Sequence, residues 1–284
     1  MDLGGGGTPL SETWNCEEVY MKEYSNRYAF STGALYPLES EEALRLVGEA
    51  GFAHAELMPQ CFRDVSEEST LRFEKTKVHV SSIHYPLAMF SMLYSAHPTM
   101  SEEGRKLSRD IVAMGKRLGT EFIVIHPTTK YEGEMQTFIE PKVIENLRYF
   151  GDLCEQASIT VAMENYPVGV GQYPDTLQQY VQDWKMKAMK IMVDTTEVME
   201  GGGDPLAFIG ALDEAPCHLH LSDFGDKKKH LPIGQGEIPW SKVFALLSEK
   251  GFTGYFTLEP GYRHYLSDIP AKLRRDFAVL SSLV

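Results

Sequence analysis

The chain has 284 residues, enough to bury one sizeable core, and its length alone permits one or two domains. It contains 43% hydrophobic and 24% charged residues, which is typical of a globular protein, and no apolar run approaches the ~20 residues of a membrane-spanning helix. The net charge of −13 counts against a nucleic-acid partner, because an acidic surface repels a polyanion.

The N-terminal region and the cysteines indicate the cellular compartment of the protein. Residues 1–26 contain a glycine run and no clear period, so we expect a partly ordered extension with one short helix near Cys16–Glu23. The segment lacks the basic start and apolar middle of a signal peptide. The four cysteines are widely spaced and form no CxxC pair, which indicates reduced thiols. These features predict a cytoplasmic protein.

Short strand patterns then alternate with helical patterns along the chain. The predicted strands are Tyr28–Thr32, Phe52–Leu57, Val78–Ile83, Glu121–Ile125, Ile159–Met163, Ala188–Val193, Cys217–Leu221 and Phe252–Leu258. The predicted helices are Glu41–Ala50, Ser66–Lys75, Ser101–Leu118, Pro141–Ala157, Thr176–Trp184, Asp204–Leu212, Pro239–Lys250 and Asp268–Leu283. Gly51 and Gly119 lie where a glycine commonly ends a helix.

Strict alternation of strands and helices predicts an α/β fold with a parallel sheet, and eight units predict a closed (β/α)8 TIM barrel. We expect residues 27–284 to form it as a single domain. A doubly wound open sheet is the alternative, but it requires a glycine-rich phosphate turn after the first strand. The segment Ser31–Leu35 does not supply one.

Four of the later strands end in a side chain that can bind a metal: Glu164, Asp194, His220 and Glu259. The carboxyl ends of the strands in such a barrel meet at one rim, which would make these residues neighbours. Three carboxylates in one pocket would repel each other, and a divalent cation would relieve that repulsion. Oxygen ligands with one imidazole suit Mn²⁺, Mg²⁺, Co²⁺ or Zn²⁺.

The chain resembles the xylose-isomerase-like barrels, a superfamily of sugar-phosphate isomerases, ketose 3-epimerases, inosose and dehydroshikimate dehydratases, and endonuclease IV. The resemblance covers roughly residues 28–283, with each motif at a predicted strand end or in the loop that follows. The matching motifs are Glu164-Asn165-Tyr166, Val193-Asp194, His220-Leu221-Ser222-Asp223, His230 with Gly234–Trp240, and Leu258-Glu259-Pro260.

The resemblance implies one catalytic metal held by Glu164, Asp194, His220 and Glu259. It also implies that Glu164 and Glu259 move protons. A metal chelated by a substrate carbonyl and the neighbouring hydroxyl would stabilise an enediolate, while the two glutamates take and return a proton. Isomerisation or epimerisation of a sugar or sugar phosphate is the expected reaction. The expected partner is a small polyol or sugar substrate, and we expect the protein to bind neither nucleic acid nor a membrane. Assembly into a homo-oligomer is compatible with the sequence.

Two positions depart from branches of the superfamily. Endonuclease IV has a histidine where this chain has Glu197, and an aspartate where it has Lys228. Together with the acidic charge, this argues against three zinc ions and DNA cleavage. The epimerases also have a histidine at the position of Glu197. Dehydration of an inosose or a dehydroshikimate-like substrate therefore stays open as an alternative, as does a barrel that binds a sugar without turning it over.

Further polar residues near the predicted rim are candidates for substrate binding: His84, His126, Glu197, His230 and Glu56. A second metal at His84 and His126 and plain packing under the rim are alternatives for that pair. Structural support is the alternative for Glu56, which lies near the end of the second predicted strand. His218 lies two residues before His220, so it faces the same side of the strand but deeper, and we predict a structural role. The basic run Lys227–Lys229 is predicted to lie in a solvated loop.

Overall fold

The computed structural model describes residues 25–128 and 130–283. The predicted helix at Cys16–Glu23 and nearly all of the predicted extension, residues 1–26, lie outside the described residues. Within the described part, no helix is both long and apolar enough to span a lipid bilayer.

The strands of this described part are short and mostly buried. They are β1 (Tyr28–Ser31), β2 (His54–Leu57), β3 (His79–His84), β4 (Phe122–Ile125), β5 (Thr160–Met163), β6 (Met189–Ile191), β7 (Val193–Asp194), β8 (Leu219–Leu221), β9 (Asp223–Gly225), β10 (Lys228–Leu231) and β11 (Phe256–Leu258).

The α-helices of the same residues follow the strands in alternation. They are α1 (Ser40–Glu49), α2 (Glu67–Phe73), α3 (Phe90–Leu93), α4 (Pro98–Leu118), α5 (Glu134–Phe138), α6 (Glu140–Ala157), α7 (Pro174–Trp184), α8 (Thr195–Glu200), α9 (Pro205–Ala211), α10 (Trp240–Glu249) and α11 (Ile269–Leu283). Short 3₁₀ turns lie at Ser25–Arg27, Thr32–Leu35, Leu87–Met89, Gly169–Gly171 and Tyr262–Tyr265.

Nine parallel strands form one sheet in the order β6-β5-β4-β3-β2-β1-β11-β8-β7. Its two outer strands, β6 and β7, are separated only by Met192, whose N–H donates to Met163 O at 2.9 Å. On the other side, Val193 N–H donates to His218 O at 3.2 Å. The predicted sixth strand is therefore present but interrupted, and the sheet curls into a nearly closed barrel with eight strand positions. The predicted single-domain (β/α)8 barrel is confirmed.

Local sequence explains where the helices begin and end. Pro98 starts α4, and Gly119 ends it with φ 73°, a left-handed conformation that costs glycine little. The helix buries Leu107 and Ile111 against the sheet, as their spacing predicts. Ser66 caps α2 by accepting a hydrogen bond from Ser69 N.

Two layers of packing follow from the alternation of side chains along each strand. The large apolar core lies between the sheet and the helices. A small apolar cluster of Val124, Ala162 and Met192 is separate from that core. Val124, Ala162 and Met192 each lie two residues before His126, Glu164 and Asp194, and residues two apart share one face of a strand. The cluster therefore lies in the barrel interior, beneath the polar residues of the rim.

The segment after β8 corrects one prediction. The basic run Lys227–Lys229 is exposed, as predicted, but Lys228–Leu231 is not a loop: it forms strand β10, which pairs with β9 in an antiparallel hairpin. Asp226 and Lys227 make the turn with φ 49° and 58°. Lys229 Nζ donates to both carboxylate oxygens of Glu200, at 2.9 and 2.8 Å. The charged sequence carries no apolar alternation, which is why it does not look like a strand.

Candidate metal centre

The four predicted metal ligands lie together at the carboxyl ends of four strand positions. Glu164 directly follows β5, Asp194 ends β7, His220 lies in β8 and Glu259 directly follows β11. One ligand atom from each residue can be chosen so that all four atoms lie within 4.8 Å of one another. Residues as far apart in sequence as Glu164 and Glu259 thus meet because parallel strands end at one rim.

Three carboxylates of this metal cluster converge on one nitrogen. His220 Nδ1 lies 2.7 Å from Glu259 Oε2, 2.9 Å from Glu164 Oε1 and 3.9 Å from Asp194 Oδ2. A ring nitrogen carries at most one hydrogen, so it can satisfy only one of these oxygens well. Asp194 Oδ2 is buried and has no hydrogen-bond partner among the described residues. An unpaired buried carboxylate oxygen is costly unless a cation meets it.

Asp194 has two functions in this geometry. Its Oδ1 accepts a hydrogen bond from Glu197 N at 2.9 Å and so caps α8. Its backbone is held by Asn165, whose Oδ1 accepts from Asp194 N at 2.6 Å and whose Nδ2 donates to Asp194 O at 3.1 Å. The cap uses one carboxylate oxygen and fixes the rotamer, which leaves Oδ2 pointing at the cluster.

The pKa values of the cluster show how crowded its charges are. Burial raises the pKa of Asp194 to about 8, with Glu164 and Glu197 acting in the same direction. Burial alone would lower the pKa of His220, but Glu259, Glu56 and Glu164 raise it well above its ordinary value. The donor set, three hard carboxylates and one imidazole, fits a divalent ion such as Mn²⁺, Mg²⁺, Co²⁺ or Zn²⁺.

A second group of possible ligands lies beside the first. Glu164 Oε2 lies 2.8 Å from His126 Nε2 and 3.6 Å from His84 Nε2, and these three residues form a separate set of mutually close ligand atoms. His84 Nδ1 lies 2.8 Å from Tyr85 O, which fixes the ring. Burial would lower the pKa of His84, but its contact with Glu164 raises the pKa to about 8. His126 is partly exposed, so it faces the opening of the site.

His230 and Glu197 form an ion pair at the edge of the metal cluster. His230 Nε2 lies 3.2 Å from Glu197 Oε1, and His230 Nδ1 lies 3.2 Å from Ser222 Oγ. Ser222 Oγ lies 2.8 Å from Thr196 Oγ1, so the ring is held from both sides. Burial would lower the pKa of His230, but Glu197 and Asp194 raise it to about 9. The hairpin strand β10 carries His230 back over the rim.

Glu56, a predicted candidate for substrate binding or structural support, lies beneath the rim. It is fully buried in β2 and lies on the inner side of His220, whose Nε2 is 2.9 Å from Glu56 Oε1. Ser82 Oγ donates to Glu56 Oε2 at 2.9 Å, and His218 Nε2 lies 3.3 Å from the same oxygen. The carboxylate is thus surrounded by protein groups beneath the rim. The alternation of β8 places His218 beneath His220, but only the fold brings Glu56 between them.

Several motif residues support the site without lining it. Asp223 accepts hydrogen bonds from Gly234 N at 2.9 Å, Ile238 N at 3.2 Å and Trp240 Nε1 at 3.0 Å. This buried carboxylate therefore ties the loop before α10 to β9. Gly236 packs directly on Asp223, with no room for a side chain.

Comparisons with known proteins agree with this architecture. Residues 44–283 match the family described as xylose isomerase-like TIM barrel. An uncharacterised protein from Methanocaldococcus jannaschii is 30% identical over 192 residues, which cover 62% of this chain and 63% of that protein. The match thus spans just under two thirds of that relative's length.

Three solved structures share the fold. A D-tagatose 3-epimerase-like protein superposes with a TM-score of 0.71 at 19% identity, over 90% of this chain and 98% of its own. The probable 3-DHS dehydratase AsbF from Bacillus anthracis superposes with a TM-score of 0.69 at 13% identity, over 90% of this chain and 98% of its own. The IOLI protein with a zinc atom bound superposes with a TM-score of 0.69 at 13% identity, over 91% of this chain and 99% of its own. At these identities the likeness shows the fold alone.

Proposed function

The chain belongs to the xylose isomerase-like TIM barrel family, and on that premise we propose that it is a divalent-metal-dependent isomerase or epimerase of a sugar or sugar phosphate. One observation carries the proposal. Four side chains from four strand ends bring their ligand atoms within 4.8 Å of one another, and the buried Asp194 Oδ2 has no hydrogen-bond partner among the described residues. Three carboxylates this close repel one another, and a bound cation would relieve that repulsion.

Glu164, Asp194, His220 and Glu259 would hold the ion. Bound there, a divalent metal would supply a Lewis acid that polarises a substrate carbonyl. Glu164 and Glu259 belong to strand positions separated by two others, so they approach the shared centre from different directions. We assign the proton transfers to these two carboxylates. One removes a proton from the carbon beside the carbonyl, and the other returns it.

The position of the returned proton decides the product. Return to the opposite face of the same carbon inverts it, which is epimerisation. Return to the neighbouring carbon moves the carbonyl, which is isomerisation. His126 and His230 lie at the opening, where their ring N–H groups can bind substrate hydroxyls. His84 is buried against Glu164 and orients that carboxylate.

The charges around the metal cluster favour an uncharged substrate over a phosphorylated one. Among the described residues, the hydrogen bonds and ion pairs of the four ligands go to histidine, carboxylate, hydroxyl, amide or backbone groups, and none to lysine or arginine. Lys229, the nearby cation of the hairpin, is held by Glu200. A phosphate dianion would thus meet several carboxylates without a matching cation.

Dehydration of an inosose or a dehydroshikimate-like substrate is the second candidate. The His230–Glu197 pair favours it, because an imidazole held by a carboxylate can protonate a departing hydroxyl group. The solved dehydratase of the same fold is compatible with this alternative. Product analysis separates the two, since an isomerase releases no water.

The experiment that tests the proposal starts with metal analysis of the purified protein. The metal-loaded protein is then incubated with ketoses, ketose phosphates and inososes in deuterated water. Metal-dependent deuterium incorporation beside a carbonyl, with an isomeric product, is the expected result. A protein that binds metal but exchanges no substrate proton would instead be a sugar-binding barrel.

A further inference from the structure

A buried polar column runs down the barrel interior from the metal cluster. It consists of His220, Glu56 and His218, all fully buried, with Ser82 and Thr257 at its sides. His220 Nε2 lies 2.9 Å from Glu56 Oε1 and 3.0 Å from Oε2. His218 Nε2 lies 3.3 Å from Glu56 Oε2 and 3.2 Å from Thr257 Oγ1.

Among the residues that the structure describes, His220 is the member that the column shares with the metal cluster. His220 offers its two ring nitrogens to different surroundings: Nδ1 faces Glu164 and Glu259, whereas Nε2 faces Glu56. A neutral imidazole has one N–H and one lone pair, and the partner of one nitrogen decides the state of the other. An ionised carboxylate can only accept a hydrogen bond, so Glu56 requires the proton on Nε2.

We infer that Glu56 is a positioning residue, which holds the proton of His220 on Nε2 and so presents the Nδ1 lone pair to the metal, while Ser82 and His218 fix Glu56. This inference rests on the proposed metal function, because it concerns how one ligand is oriented. Carboxylates that orient metal-binding histidines in this way typically contribute 10–100-fold to metal affinity.

The surroundings of Glu56 suit this task better than substrate binding. Its carboxylate is fully buried, and its Oε2 accepts a hydrogen bond from Ser82 Oγ at 2.9 Å. His220 Nε2 and His218 Nε2 lie 3.0 and 3.3 Å from Glu56 Oε2, so the carboxylate is surrounded by groups that can donate a hydrogen bond to it. A buried carboxylate loses the free energy of its hydration, and here its contacts with the two imidazole rings offset that loss.

Zinc titration of the full chain tests the inference, with Glu56→Gln as the variant. The amide keeps the size of the side chain but loses the obligatory acceptor character. We expect zinc to bind about 10–100-fold more weakly than to the wild type. The matched control is Asp64→Asn, another buried carboxylate after β2, which accepts from Ser40 Oγ and Gln60 N and does not contact the cluster. It should bind zinc as the wild type does.

Nitrogen-15 NMR of the zinc-loaded wild type provides a readout that does not depend on the variant's folding. We expect His220, assigned with a His220→Asn variant, to bind zinc through Nδ1 and to carry its proton on Nε2. Coordination through Nε2, or undiminished zinc affinity in folded Glu56→Gln, would overturn the inference while leaving the metal function intact. A wild type that takes up no zinc, manganese, magnesium or cobalt would refute the proposed function and this inference with it.

Discussion

His230 Nε2 lies 3.2 Å from Glu197 Oε1, so an imidazole and a carboxylate neutralise each other directly at the edge of the metal cluster. At the position of Glu197 the endonuclease IV branch has a histidine instead. A group that is already paired with its neighbour gains little by binding a further cation.

Metal stoichiometry is the first prediction. We expect about one tightly bound divalent ion per chain, because among the described residues Glu164, Asp194, His220 and Glu259 form the set with four possible ligands, whereas the other two sets have three members and each shares Glu164 or His220 with it. Elemental analysis of dialysed protein measures this, and an abasic duplex should remain uncut. Three equivalents of metal together with nicking would instead place the protein with the nucleases.

Loss of Asp194 is the second prediction. Asp194→Ala removes both the metal-facing Oδ2 and the cap that Oδ1 provides to α8. We expect metal binding to be lost and the free energy of unfolding to fall by about 1 kcal/mol from the cap alone. Asp204→Ala removes the cap of α9, where Asp204 Oδ1 accepts a hydrogen bond from Leu206 N, and serves as a control that keeps the metal. Equal metal binding by Asp194→Ala and wild type would disprove the ligand assignment.

The third prediction concerns proton transfer. Glu259→Gln should keep the fold but lower turnover by roughly 10²–10⁴-fold, because an amide cannot take a proton from carbon. Deuterium exchange into substrate, followed by mass spectrometry, should be abolished in parallel. Glu237→Gln, which alters an exposed carboxylate of the loop before α10, should leave both unchanged. Full turnover by Glu259→Gln would show that another residue moves the proton.

The pH dependence of metal binding is the fourth prediction. Burial raises the pKa of Asp194 to about 8, so the metal-free protein still holds this proton at pH 7. A metal ligand must be deprotonated, and binding therefore releases protons and tightens as the pH rises from 6 towards 8. Calorimetry in two buffers of different ionisation enthalpy should detect release of about two protons at pH 7, one from Asp194 and one from the His220 ring, whose pKa is also raised above its ordinary value. Affinity that is constant or falls over this range would contradict the crowded-carboxylate geometry.

The same pKa has an effect on stability in the absence of metal. The folded-state pKa of Asp194 lies above its ordinary value, so its protonated form stabilises the fold. That contribution is complete below the ordinary pKa and is lost as the pH rises through about 8. Thermal unfolding of the metal-free protein should show this decline, and saturating metal should remove it.

The fifth prediction concerns the motif residue Asp223. Asp223→Asn replaces one acceptor oxygen with a donor amide, which would face Gly234 N or Trp240 Nε1. Leaving such a buried donor without a partner costs about 1–3 kcal/mol, so chemical denaturation should show a loss of at least about 1 kcal/mol. Asp226→Asn, in the exposed hairpin turn, should have little effect. An unchanged stability would mean that the loop before α10 is held by other contacts.

The sequence predicted the barrel because each strand is an apolar run closed by a glycine or a polar residue, and each amphipathic helix has the period that its packing requires. It also predicted the four cluster residues, since strand ends in a parallel barrel share one rim. Glu56 was a candidate residue, but its place between His218 and His220 could not be predicted, because those partners lie more than 160 positions away. The hairpin at Lys228 was missed because its backbone pairing leaves no apolar pattern.

Anomalous diffraction from a crystal soaked in manganese tests the central claim most directly. The account predicts a single strong manganese peak, coordinated by Glu164, Asp194, His220 and Glu259. A peak elsewhere, or side chains that turn away from one another with no ion between them, would contradict it.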